Sequence, residues 1–164
     1  MKCFLDRDGV INTNYPYVGT INRFEWCPHI IEILQTLTHK GYELIMITNQ
    51  SGINRGYYTY KDFIDLSFYI HNKLWENGLE IEINYCRHTP EENCKCRKPK
   101  TGMMDKYKIT IKDILVGDKE TDINAANNKG IQNRWLLNPN KLDCPYTRHF
   151  KNHDELKEAV YMLK

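Results

Sequence analysis

The chain has 164 residues, enough for one domain with a sizeable core and too few for two ordinary ones. Hydrophobic residues make up 41% of it and charged residues 27%, which excludes a disordered polymer. The 23 basic and 21 acidic residues are interspersed and leave a formal charge of +2, so neither nucleic acid nor a membrane surface is the expected partner. The apolar start Cys3-Phe4-Leu5 runs straight into Asp6, Arg7 and Asp8, and no stretch is long enough to span a bilayer; a cytoplasmic location is the expectation.

In chain order, the first expected strand is Lys2–Leu5, followed by Asp6-Arg7-Asp8-Gly9-Val10-Ile11-Asn12. A lone Asp at a strand end is usually a turn former, but two Asp one residue apart, then a Gly, can turn both carboxylates into one pocket. A helix is expected over 29–39, with Ile30, Ile33, Leu34 and Leu37 on one face before Gly41. The strand 43–48 comes next and ends in Thr48-Asn49-Gln50-Ser51-Gly52, a run suited to donating hydrogen bonds to phosphate oxygens and weak as a signal on its own. A second helix over Tyr60–Glu76 places Phe63, Ile64, Leu66, Ile70 and Leu74 inward before Gly78. Core packing, rather than an aromatic binding stripe, is the expected use of Trp75 and the other aromatics on that helix.

After the strand 80–85 come Cys86, His88, Cys94 and Cys96. Scattered cysteines are ordinarily small buried hydrophobes, but one His and three Cys within a single short segment match the closed ligand set of tetrahedral Zn²⁺, which would order loop 86–96 and leave no open position for chemistry. Arg97-Lys98-Pro99-Lys100-Thr101-Gly102-Met103 then delivers a cation ahead of an expected helix start; the bland use of such a Lys is a solvated surface charge. The strand 113–116 ends in Gly117-Asp118-Lys119-Glu120-Thr121-Asp122, adding hard oxygen ligands that suit Mg²⁺. A helix over 122–128, a strand at 135–137, a Pro/Asn-rich loop at 138–146 and a terminal helix over 154–163 complete the chain, the last with Leu156, Val160 and Leu163 inward.

Alternating strands and helices predict one α/β domain over 1–164: a Rossmann-like open sheet, mostly parallel, with helices on both faces, and ligands beyond the carboxyl ends of the strands. The spans from 12 to 42 and from 53 to 85 leave no room for a large cap domain, and a monomer is the expectation.

The segments DRDGVIN, TNQSGI, CRKPKTGM and GDKETDI, in this order over nearly the whole chain, resemble the signature of the haloacid dehalogenase superfamily of phosphatases. The resemblance implies that Asp6 attacks phosphorus to give a phospho-aspartate and that Asp8 acts as acid and then base. It implies that Thr48 and Lys98 bind the phosphoryl oxygens and that Mg²⁺ is held by Asp6, the backbone carbonyl of Asp8, and Asp118. Asp122 is expected to support the metal site without ligating directly. The Cys-x-His…Cys-x-Cys arrangement before Arg-Lys-Pro further resembles the D-glycero-D-manno-heptose 1,7-bisphosphate phosphatases and the related histidinol-phosphate phosphatases. By that resemblance Asn14, Tyr15, Pro16, Tyr17, Thr48, Asn49, Gln50, Ser51, Arg97, Lys98 and Lys119 contact a small phosphorylated sugar, with Arg97 forking a distal phosphate. The implied activity is hydrolysis of the 7-phosphate in heptose activation for a surface polysaccharide. Histidinol-phosphate hydrolysis and a catalytically silent zinc-stabilised scaffold are the alternatives. Two departures stand out: the spacing from His88 to Cys94 is shorter than in the enterobacterial form, and Asn14-Tyr15-Pro16-Tyr17 replaces an acidic, glycine-containing version.

Overall fold

The computed structural model describes residues 1–163. Six strands, β1 Lys2–Leu5, β2 Glu43–Asn49, β3 Ile81–Cys86, β4 Ile114–Gly117, β5 Asn133–Leu137 and β6 Arg148–Phe150, form one sheet in the order β3-β2-β1-β4-β5-β6. Every pairing is parallel. The helices are α1 Ile30–His39, α2 Tyr60–Glu76, α3 Glu120–Lys129 and α4 His153–Tyr161. No helix is long and apolar enough to cross a membrane among the described residues.

Because successive strand residues point to opposite faces, the sheet sorts its side chains into two core layers. Cys3, Leu5, Leu44, Met46 and Val116 face one side, where they meet Ile33, Leu34 and Leu37 of α1, Leu66, Ile70 and Leu74 of α2, and Leu156 and Val160 of α4. Phe4, Ile45, Ile47 and Leu115 face the other, against Ala125 and Ala126 of α3 and the adjoining Met103 and Met104. Each such fully buried aliphatic side chain contributes about 1.5–3 kcal/mol. Helices thus cover both faces, three on one and α3 on the other.

Sequence and structure part at several places. β6 was not anticipated: three residues are too short to show a period, and Arg148 lies over the rings of Trp135 and Phe150, 4.9 and 5.1 Å from their centroids, so its charge hides an edge strand. The helix expected after Lys98 is only a 3₁₀ turn, Gly102–Met104, anchored by burial of Met103 and Met104. On α2, Trp75 and Phe68 are 65% and 64% exposed instead of packed, because Phe63, Leu66, Ile70 and Leu74 already fill the inward face; Ile64 is only half-buried. Leu163 lies beyond the end of α4 yet packs partly against the core.

The sheet order reverses at β1: the chain moves outward through β2 and β3, then returns to place β4 on β1's other side. Such a switch point opens a crevice at the carboxyl ends of β1 and β4. Asp6 follows β1 there and Asp118 follows β4.

Candidate active site

The Asp6 amide continues the ladder by donating to Val116 O, 3.0 Å away, so Asp6 is fixed by sheet geometry before its side chain makes any contact. Lys98 reaches in from the loop following β3. Its buried ammonium lies 2.8 Å from Asp6 Oδ1, 2.7 Å from Asp122 Oδ1 and 2.6 Å from Ile47 O. Burial opposes the charge on Lys98, but Asp122 and Asp6 outweigh it and hold the ammonium protonated well above its usual range.

Asp118 joins Asp6 and Asp122 in one cluster of buried carboxylates whose ligand oxygens lie within 4.8 Å of one another. Three acids and one buried lysine leave an excess of negative charge, which a low-dielectric site tolerates only by binding a cation or a proton. Burial, with Asp6 alongside, pushes Asp118 up to about 8 in the metal-free protein. Its Oδ1 is buried without a hydrogen-bond partner, and the Lys119 ammonium stands 3.7 Å away. An oxygen-only donor set with an unpartnered carboxylate oxygen fits Mg²⁺. Asp122 has both oxygens engaged, Oδ1 by Lys98 and Oδ2 by the Lys119 N–H at 3.0 Å. It therefore meets the cluster as the holder of Lys98. Gly9 is required beside this group: its φ is +92°, and a Cβ there would fall 2.3 Å from Asp118 Oδ2.

The Asp8 carboxylate stands apart from the acidic cluster and is surrounded by donors. Arg7 Nη2 approaches its two oxygens at 2.9 and 3.1 Å, Asn12 Nδ2 gives 3.1 Å to Oδ1, and Gln50 Nε2 gives 2.8 Å to Oδ2. Thr48 is buried at the end of β2 and its hydroxyl also accepts from Gln50 Nε2, at 2.7 Å. Asn49 clasps the backbone of Lys98, accepting from its N–H at 3.1 Å and donating to its carbonyl at 3.2 Å. Asn14 donates to Asp118 Oδ2 at 2.8 Å, which ties the segment after β1 to the acidic cluster.

Above these groups lies a cavity of about 210 Å³, with Asp8, Asn14, Tyr15, Pro16, Tyr17, Asn49, Gln50, Ser51 and Lys119 in its walls. Tyr15 is braced by Glu25 at 2.9 Å and Pro16 by Arg23 at 2.8 Å, and the Tyr17 ring meets Tyr57 at 4.1 Å between centroids. Arg97 is not among the walls; its guanidinium donates to His88 O at 3.1 Å. Sequence reasoning assigned no role to Arg7, although a cation between two acids at a buried strand end is a visible signal. Tyr57 and Tyr58 carry no such signal, since a tyrosine in a loop is ordinary.

The second polar centre is the Cys/His loop. Cys86, Cys94 and Cys96 are free thiols that approach one another at 3.1–3.5 Å, and His88 Nδ1 lies 3.5 Å from Cys86 and 3.3 Å from Cys96. Tetrahedral coordination at Zn–S of about 2.3 Å sets ligand-to-ligand edges of roughly 3.5–3.8 Å, so the four atoms fit around one soft metal ion with small adjustment. Burial would raise the Cys94 thiol, but the Arg97 N–H and the neighbouring thiols bring it down to about 7, toward the thiolate a metal binds. A strap outside the cluster joins this loop to the segment after β2: Asn54 donates to both oxygens of Glu92, at 2.8 and 3.0 Å.

Comparison with known proteins gives a consistent set of relatives. The model of the family described as Polynucleotide kinase 3 phosphatase matches residues 8–138. The D-glycero-beta-D-manno-heptose-1,7-bisphosphate 7-phosphatase of Helicobacter pylori is 42% identical, the alignment covering 98% of this chain and 96% of the relative. The D-glycero-alpha-D-manno-heptose-1,7-bisphosphate 7-phosphatase of Campylobacter jejuni is 40% identical over 98% of this chain and 94% of its own. The crystal structure of the D,D-heptose 1,7-bisphosphate phosphatase of B. bronchiseptica, complexed with magnesium and phosphate, superposes with a TM-score of 0.85 at 27% identity and covers 98% of each chain.

Proposed function

The chain belongs to the Polynucleotide kinase 3 phosphatase family of haloacid dehalogenase phosphatases and, within it, to the heptose-1,7-bisphosphate 7-phosphatases; from that premise we propose that it is a Mg²⁺-dependent hydrolase of the 7-phosphate of D-glycero-D-manno-heptose 1,7-bisphosphate. The observation that carries the reading is Lys98, buried between Asp6 and Asp122 beside the unpartnered oxygen of Asp118. Burying that much opposed charge at a sheet switch point is costly for the fold, whereas transfer of a dianionic phosphoryl group needs a fixed cation, a fixed nucleophile and a metal cradle together.

Asp6 attacks phosphorus, the bond to the sugar oxygen breaks, and the departing alkoxide takes a proton from Asp8. Water then attacks the phospho-aspartate, gives its proton to Asp8 and leaves inorganic phosphate and free Asp6. Lys98 and the Thr48 hydroxyl bind the phosphoryl oxygens, and Asn49 holds Lys98 in place through its backbone. Asp6, the Asp8 carbonyl and Asp118 would hold Mg²⁺, which supplies the charge that offsets repulsion between carboxylate and phosphate. The substrate body lies among Asn14, Tyr15, Pro16, Tyr17, Ser51 and Lys119, and Arg97 receives the distal phosphate once it turns from His88 O. Cys86, His88, Cys94 and Cys96 hold Zn²⁺ in a structural role.

The relatives divide between alpha and beta anomers at similar identity, so both belong in the test. Phosphate release with Mg²⁺ is measured on each heptose bisphosphate anomer, on histidinol phosphate and on a 3′-phosphorylated oligonucleotide. Turnover of one heptose anomer that Asp6→Asn abolishes, with fold and zinc content intact, is the expected result. Preference for histidinol phosphate or the oligonucleotide, or activity of Asp6→Asn near that of the unaltered protein, overturns it.

A further inference from the structure

Gln50 sits in the cavity wall, yet only 3% of it is exposed and every polar atom of its amide is committed within the protein. Its Nε2 gives 2.8 Å to Asp8 Oδ2 and 2.7 Å to Thr48 Oγ1, and its Oε1 receives the Tyr58 hydroxyl at 2.6 Å. The orientation suits the step in which Asp8 is the base and its carboxylate only accepts: the amide nitrogen faces Asp8 and the amide oxygen faces Tyr58. Burial pushes the Tyr58 phenol up to about 12, so it keeps the proton it donates. The Tyr58 ring is clamped in turn. A Cβ on Gly19 would fall 2.0 Å from it and one on Gly52 2.2 Å, so both neighbours must lack side chains. A parallel route leaves the same segment after β1 at Val18, whose carbonyl accepts from the buried Arg7 that also holds Asp8.

We propose that Tyr58 and Gln50 are positioning residues that hold the Asp8 carboxylate toward the cavity as the base for phosphoenzyme hydrolysis, and that the Val18-Gly19 segment sets their position. The inference rests on the phospho-Asp6 reading above. In the step concerned, a water O–P bond forms, the Asp6 O–P bond breaks, and the water proton passes to Asp8.

The test uses an aryl phosphate whose leaving group departs without protonation, so that formation of the phosphoenzyme does not need Asp8 as an acid. Rapid quench then follows formation and decay of phospho-Asp6 separately. Tyr58→Phe keeps the ring between the two glycines and removes only the hydroxyl. Its formation rate should match that of the unaltered protein while decay slows about tenfold, a fraction of the roughly 10²–10⁴-fold that general-base catalysis supplies. Gln50→Leu should slow decay further, with a larger standing amount of phosphoenzyme. Equal slowing of both steps, or no change in either, overturns the inference while leaving Asp6 as nucleophile. Absence of any phosphoenzyme on the unaltered protein overturns the parent reading instead.

Discussion

The carboxylate cluster takes Asp6 from the end of β1, Asp118 from the end of β4 and Asp122 from the first turn of α3, whereas the Cys/His cluster takes all its side chains from one loop and the end of β3. The first exists only when β1 and β4 pair and Lys98 crosses from the loop after β3; it depends on the whole sheet. The second depends on a short segment and, in the reading proposed above, on the ion it would hold. Their chemistry differs in the same sense, one a dry, crowded set of oxygens around an ammonium, the other four soft ligands near the surface. Damage to the first should therefore appear in the chemical step and in global stability, and damage to the second in how firmly the substrate side of the pocket is held.

The sharpest way to break the comparison is Lys98→Met. It removes a cation that balances Asp6 and Asp122, so kcat should fall by about 10³ or more, in line with loss of a fixed transition-state donor. It should also cost about 3–5 kcal/mol of stability, because two buried carboxylates lose their partner. Steady-state kinetics and urea unfolding, read together, check both; a variant of undiminished stability would mean that Lys98 is not the charge holding the cluster together.

Metal removal separates the two centres by their pH response. In the metal-free protein Asp118 is raised to about 8, mainly by burial and then by Asp6. The unfolded chain releases that proton near the ordinary value of about 3.9. Between these two values the native state binds more protons than the unfolded state, so Asp118 contributes a loss of stability as pH rises from about 4 to 8. Saturating Mg²⁺ should remove this decline and add about 2.7 kcal/mol at a hundredfold excess over Kd. Thermal unfolding with and without Mg²⁺ at several pH values reads it directly, and a Mg²⁺ effect independent of pH would refute the assignment to Asp118. Cys96→Ser acts on the other centre. It should abolish bound zinc and raise KM about tenfold while kcat changes less than about threefold, an effect of the size expected when positioning is lost and the reacting groups are kept.

The same contrast explains what the sequence disclosed. Both clusters were legible because their residue types are expensive or unusual where they stand: paired Asp after a buried strand, and three Cys with a His in one loop. The five longest strands and helices α1, α2 and α4 were legible from apolar runs and periodicity, because β1 and β2 are buried on both faces and α1 and α2 on one, while α3 was legible from the glycine that ends it. β6 was not, since Arg148 looks exposed in sequence and becomes a cover for Trp135 only after β5 is in place. Nor could sequence reveal that the Gln50 amide is consumed by Asp8, Thr48 and Tyr58, because the Tyr58 ring is held in a slot between Gly52 and Gly19, which lies far off in sequence. Asp113 shows the same limit: expected as a strand residue, it instead ties the sheet's start to a turn by accepting from the Lys2 and Thr110 amides.

The smallest expected effect concerns the strap between the two regions. Glu92 accepts from the Thr89 N–H at 2.6 Å and from Asn54 at 2.8 and 3.0 Å, so one exposed carboxylate helps to hold the Cys/His loop to the segment following β2. The Thr89 N–H, then the Asn54 amide, hold that carboxyl below its usual range. A depressed acid supports the fold above its unfolded value of about 4.3 and loses that support as pH falls through the folded one, so the strap is intact at neutral pH. Glu92→Gln keeps the size, removes the charge and leaves an amide facing the amide of Asn54. Because the pair is exposed, global stability should hardly move. KM should rise by about two- to threefold at neutral pH, with kcat and bound zinc unchanged, since a charge-assisted bond is worth little at the surface and here only steadies a loop. A rise as large as that of Cys96→Ser would mean that the strap, and not the metal, fixes the loop, and would reverse the order of the two regions in setting the pocket.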